Sequence, residues 1–83
     1  MSTYQLDAAR LLCPMPVIRV QNAVESLPDG TRLEAVCTDP GALKDIPAWS
    51  RINGHKVIET RSGDGEYVVV VEVDHGSRNE SAG

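Results

Sequence analysis

Pro14 and Pro16 bracket a methionine directly after a cysteine, Cys13, and together they fix where the first helix of this chain can begin. A proline inside a helix removes a backbone donor and clashes with the preceding turn. The first helical turn has orphan N–H groups anyway, so it tolerates the ring. The residue before a proline is pushed away from helical angles, so Cys13 is expected at the N-cap, facing the N–H of Met15. Ser, Thr, Asp or Asn normally stand there. A cysteine in their place gives up capping strength. It sets a thiol at the positive end of a helix, where the thiolate is stabilised and the pKa falls.

Periodicity places the other elements around that helix. Residues 4–7 alternate Tyr4 and Leu6 with polar neighbours, which predicts a short strand. From 14 to about 26 the pattern is helical: Val17, Val20, Ala23, Val24 and Leu27 fall within an arc of about 120°, the width of a core-facing stripe. Pro28, Asp29 and Gly30 end it. Residues 32–38 alternate Leu33, Ala35 and Cys37 with polar positions and predict a second strand. Strand, helix, strand over this length implies a right-handed crossover and parallel pairing. A second helix is expected over 42–53, with Leu43, Ile46, Trp49 and Ile52 inward, interrupted by a kink or break at Pro47 and capped by Gly54. Residues 56–61 predict a third strand, 62–65 a turn, and 66–73 a fourth strand whose apolar run from Tyr67 to Val71 suits a central place in a sheet. The resulting order, β-α-β-α-β-β, predicts an α/β (α+β) fold with two helices on one face of a mixed four-stranded sheet. Residues 1–73 are expected to form a single domain and 74–83 a disordered polar tail.

With 83 residues the chain supports one domain, burying roughly 60–65 % of its unfolded surface. Its net charge of −4 and lack of basic clusters argue against direct nucleic-acid binding and suit a basic protein partner. Two cysteines are too few for a disulfide framework. Residues 2–10 are polar and do not read as a signal peptide, and no apolar run approaches a membrane span. The expectation is a cytoplasmic, reducing location, where a cysteine is free to react.

Leu6-Asp7-Ala8, then Leu12-Cys13-Pro14-Met15-Pro16 and a valine-rich helix, resemble the TusA-type sulfur carriers, the SirA/YedF-like family marked by Cys-Pro-x-Pro after the first strand. Thr38-Asp39-Pro40 and Asp45-Ile46-Pro47 match in place as well, so the resemblance runs from about residue 4 to 73. It implies a two-layer α/β sandwich and a persulfide carried on Cys13. It also implies a sulfur-donor protein (a cysteine desulfurase or rhodanese-like enzyme), an acceptor protein, and use in tRNA thiolation, molybdenum-cofactor work or sulfur oxidation. Two positions depart from the family pattern. Arg10 stands where a glycine is usual, and Met15 where an acidic residue is frequent, so the surroundings of Cys13 are less acidic than usual.

Cys13 is therefore the expected carrier of sulfur, with Pro14, Met15, Pro16, Arg10 and Asp39 as supporting residues. The helix dipole favours its anion by roughly 0.3–1 kcal/mol. The prolines stiffen the turn and lower the ordering cost of docking. Met15, Ile18 and Asn22 form an outward arc suited to a docking surface. Cys37 reads as a core residue, with a resolving thiol as its rival. Asp39 and Asp7 read as turn or cap formers, with a role near the sulfur site as the rival reading. His55 and His75 show no metal-site spacing, and neither a metal nor a cofactor is expected. The chain is read as a stoichiometric carrier with sulfurtransferase-type chemistry. Two other readings stay open: an RNA-binding or regulatory module, and a thiol redox protein using Cys13 and Cys37.

Overall fold

The structure, a computed structural model, describes residues 3–12 and 14–76. Six elements follow in the order β1 (Thr3–Ala8), α1 (Met15–Glu25), β2 (Arg32–Cys37), α2 (Ala42–Ile52), β3 (Lys56–Gly63) and β4 (Glu66–Glu72). The sheet order is β1-β2-β4-β3. β1 runs parallel to β2, and β4 pairs antiparallel with both β2 and β3. The parallel pair needs a crossover, and α1 is that crossover. The sheet is mixed and β4 is internal, as its apolar run predicts.

One face of the sheet carries the core. Leu6, Ala8, Leu33, Ala35, Cys37, Val69, Val71 and Val73 alternate inward and meet Val20 and Val24 of α1 and Ala42 and Ile46 of α2. The stripe read on α1 is the one it buries, extended by Pro16. On α2 the inward set differs: Ala42, Ile46, Pro47 and Ser50 are buried, whereas Ile52 is 83 % exposed. A row spaced by three falls about 60° short of a full turn at each step of a 3.6-residue helix. By Ile52 that row has rotated out to solvent. Pro47 neither breaks the element into two pieces nor ends it. α2 is continuous, and the proline ring packs inward among buried neighbours.

Two turns explain where strands and helices stop. After α2, Gly54 has φ +86°, its N–H donates to the Arg51 carbonyl at 3.2 Å, and the His55 N–H donates to the Ser50 carbonyl at 2.8 Å. That pair is a Schellman motif, and only a residue without Cβ takes the left-handed position cheaply. Between β3 and β4 the loop is Asp64-Gly65 alone, with φ of +54° and +80°. A two-residue type I′ turn requires both to be positive, and Asp-Gly suits it. β3 therefore runs on to Gly63 instead of ending at Arg61.

The other sheet face is open. Arg61 on β3 pairs with Glu34 on β2 and, at 3.0 Å, with Glu59, while Gln5 on β1 donates to Glu34 at 3.1 Å. β4 lies between β2 and β3, so the Arg61–Glu34 pair spans it, above the half-buried Val68 and Val70. A long charged stem covering apolar surface is the usual arrangement there.

The first residues of the polar tail are held by hydrogen bonds. The Asp74 N–H donates to His55 Nδ1 at 2.9 Å, and the His75 N–H donates to Asp29 Oδ1 at 2.7 Å. His75 Nε2 donates to the Leu27 carbonyl at 2.6 Å. His55, only 8 % exposed, stacks on Trp49 with centroids 5.3 Å apart. Residues 77–83, the rest of the expected tail, lie outside the described residues.

Candidate functional site

The site is built where β1 hands over to α1. Parallel register sets Ala8 opposite Cys37, so residues 9–12 and Thr38-Asp39 emerge from the same edge of the sheet. Asp7 Oδ1 accepts from the Ala9 N–H at 3.0 Å, the short-range side-chain turn expected of an aspartate. Arg10 then takes the left-handed conformation, φ +68°, and donates its N–H to Thr38 Oγ1 at 2.7 Å. The residue that stands in place of the family's usual glycine thus keeps a glycine-like backbone. A side chain there costs roughly 1–2 kcal/mol.

Cys13 lies outside the described residues; the residues on both sides of it define the setting. Leu12 is 74 % exposed, Pro14 is exposed and Met15 is 41 % exposed. The N-cap is Pro14, with φ −94° and ψ 12°, one residue later than Cys13, where the sequence puts it. The Pro14 carbonyl already accepts from Val17 at 3.1 Å and Ile18 at 3.2 Å, which is the role of an N-cap carbonyl. The Met15 N–H donates to the Leu12 carbonyl at 2.8 Å. Pro16 at the second helical position has no N–H to offer and is buried. What the helix start offers an anion is therefore its dipole. No acidic side chain stands in the first turn of α1 to oppose it, and no side-chain cap hydrogen bond occupies it.

Ile18, 39 % exposed, and Asn22, also exposed, continue the outward arc from Met15. Leu12, Met15 and Ile18 are exposed large hydrophobic side chains at and just before the start of α1.

Asp39 is a turn former: its Oδ1 accepts from the Gly41 N–H at 3.0 Å, and Gly41 is the N-cap of α2. Cys37 is a free thiol, fully buried under the helices. Burial, and after it the Asp39 carboxylate, push that thiol up to about 11. A resolving thiol has to ionise and be reached, and burial at Cys37 opposes both. Sequence reasoning missed Thr38 as a partner of Arg10. A hydroxyl just past a strand has many local uses, and only the parallel register brings it to Arg10. It also missed the His55–His75–Trp49 group, whose members lie far apart in sequence and meet only in the fold.

Among the described residues, no group of three or more His, Cys, Asp or Glu side chains is placed to hold a metal ion. No helix among them is long and apolar enough to cross a membrane.

Comparison with known proteins gives the site a context. The family model described as sulfurtransferase TusA matches residues 4–73. The YrkI protein of Bacillus subtilis is 47 % identical over 60 residues, covering 71 % of this chain and 80 % of the relative. The sulfur carrier protein TusA of Pseudomonas paraeruginosa is 38 % identical over 63 residues, covering 76 % and 80 %. The sulfur carrier protein TusA of Allochromatium vinosum is 29 % identical over 68 residues, covering 82 % and 90 %. The family model's match takes in the Cys-Pro-Met-Pro sequence, both helices and the strands from Tyr4 on, and on that ground the chain belongs to the TusA family.

Proposed function

We propose that this protein is a sulfur carrier and that Cys13 holds the sulfur as a persulfide. The observation that carries the reading is the place of the Cys-Pro-Met-Pro turn. Leu12, Pro14 and Met15, which flank Cys13 in the chain, are exposed, and α1 starts at Met15 with no acidic residue in its first turn, in a chain of the TusA family. The Cys13 thiolate attacks the outer sulfur of a donor persulfide. The new S–S bond forms on Cys13, the donor's S–S bond breaks, and the donor cysteine leaves as a thiolate. Handing the sulfur on repeats the exchange with an acceptor thiol as attacker and Cys13 as leaving group. No electrons are gained or lost overall, so neither a metal nor a cofactor is required.

Pro14 and Pro16 stiffen the turn that presents the sulfur, and Met15 with Leu12 borders it on the docking side. Arg10 adds positive charge at this edge and favours the anion. Asp39 shapes the adjoining turn. The donor is a cysteine desulfurase or a rhodanese-like enzyme, and the acceptor a downstream protein thiol. The exchange takes place in the cytoplasm, in a relay of the kind that serves tRNA thiolation or sulfur oxidation. The chain acts stoichiometrically between two enzymes. The buried Cys37 speaks against a redox pair with Cys13. The acidic residues and paired Arg61 of the open sheet face speak against an RNA surface, which needs basic and stacking groups.

The test is an intact mass after incubation with a cysteine desulfurase and cysteine, or with a rhodanese and thiosulfate. A gain of one sulfur, lost on reduction and absent in Cys13→Ser, is expected. No gain from either donor in the wild-type protein would sink the proposal.

A further inference from the structure

Arg10 and Asp64 are the non-glycine residues with positive φ among the described residues. Asp64 is accounted for by its type I′ turn. Arg10 has no such reason: arginine carries a Cβ and no short polar group that bonds to its own backbone. A backbone held in a sparsely populated region persists only where its surroundings over-determine it. Here a restraint reaches Arg10 from the end of the neighbouring strand. The Arg10 N–H donates to Thr38 Oγ1 at 2.7 Å, across a sequence separation of 28. Thr38 directly follows β2, whose last residue, Cys37, is fully buried, so the hydroxyl projects from a rigid support. On the other side Asp7 and Ala8 hold Ala9 and Leu11 through bonds of 3.0 and 3.4 Å. The short loop that feeds Cys13 is thus clamped by β1 at its start and by one side chain of the β2 edge in its middle.

We propose that Thr38 is a positioning residue for sulfur transfer: its hydroxyl holds Arg10 in the left-handed conformation and so sets where the chain delivers Cys13. The functional meaning rests on the carrier reading above, but the positioning is measurable without it. Thr38 is exposed, so losing its hydroxyl opens no cavity. Thr38→Val keeps the shape and removes the acceptor, and Thr38→Ser keeps the acceptor. Three quantities are measured on the full chain. These are amide exchange at Arg10, the pH profile of Cys13 alkylation by iodoacetamide mapped by peptide mass, and the rate of sulfur uptake from a persulfidated donor.

Thr38→Val is expected to speed Arg10 exchange at least tenfold, to displace the alkylation profile, and to slow uptake at least fivefold. Thr38→Ser should stay within twofold of wild type in all three. In an Arg10→Gly background the loss from Thr38→Val should shrink below twofold, because glycine keeps the conformation without being held. An exposed Arg10 amide with unchanged alkylation and uptake overturns the proposal, as does an unchanged Arg10 exchange rate. A wild-type protein that takes up no sulfur, while Thr38→Val still displaces the alkylation profile, overturns the carrier reading and leaves the positioning role standing.

Discussion

Replacing Arg10 by glycine should stabilise this protein relative to alanine at the same position, the reverse of what an ordinary site shows. The backbone at Arg10 has φ +68°, and any residue with a Cβ is strained there. Relief of that strain is worth roughly 1–2 kcal/mol. Glycine gives back about 0.5–1 kcal/mol because its unfolded chain is freer. The balance favours Arg10→Gly over Arg10→Ala by about 0.5–1 kcal/mol. Both variants lose the same guanidinium and keep the N–H bonded to Thr38, so charge and hydrogen bonding cancel in the comparison. For a domain of this size the gap corresponds to a melting difference of about 2–8 °C. Urea unfolding followed by fluorescence of Trp49, which stacks on His55, reads it directly. Arg19, exposed within α1, supplies the control: there glycine should fall below alanine by about 1 kcal/mol. If alanine at position 10 proves as stable as glycine, the strain argument is wrong, and the inference about Thr38 loses its premise.

Two further outcomes follow from the core and the tail. The Cys37 thiol is pushed from its ordinary 9.0 up to about 11, so folding favours its neutral form. Its contribution is complete below the unfolded value near 9.0 and is lost as pH rises through about 11, an alkaline loss of roughly 2–3 kcal/mol. Cys37→Ala should flatten that alkaline slope in denaturant titrations at pH 8 to about 11, and a slope equal to the wild type's would refute the assignment to Cys37. At the tail, His75→Ala removes the 2.6 Å bond to the Leu27 carbonyl. A loss of about 0.5–1.5 kcal/mol is expected, with faster amide exchange at Asp74 and His75. Unchanged exchange there would show that the imidazole is not what ties the segment down.

The legible part of this protein is the part set by neighbours in sequence. The α1 stripe of Val17, Val20, Ala23 and Val24, the alternation of Leu33, Ala35 and Cys37, and the Gly54 stop each depend on a few adjacent residues. So the element order could be read directly. The start of α1 around Pro14-Met15-Pro16 was visible for the same reason: proline acts on its own φ and on the residue before it. Even there the cap fell one residue away, because the carbonyl that receives Val17 and Ile18 belongs to Pro14.

What sequence alone could not decide depends on pairs brought together by the sheet. Which side of α2 turns inward was decided by packing against β4 and α1, which bury Ala42, Ile46 and Ser50 and leave Ile52 in water. The Arg10–Thr38 bond needs the parallel register of β1 and β2. The Arg61–Glu34 pair needs β4 between β3 and β2, and the hold of His55 and His75 on the chain end needs α2 beside the α1–β2 loop. Local torsional preference chose the elements and marked the cysteine. Chain closure over tens of residues chose the partners that hold the loop beside it, and that closure is a property of the folded whole.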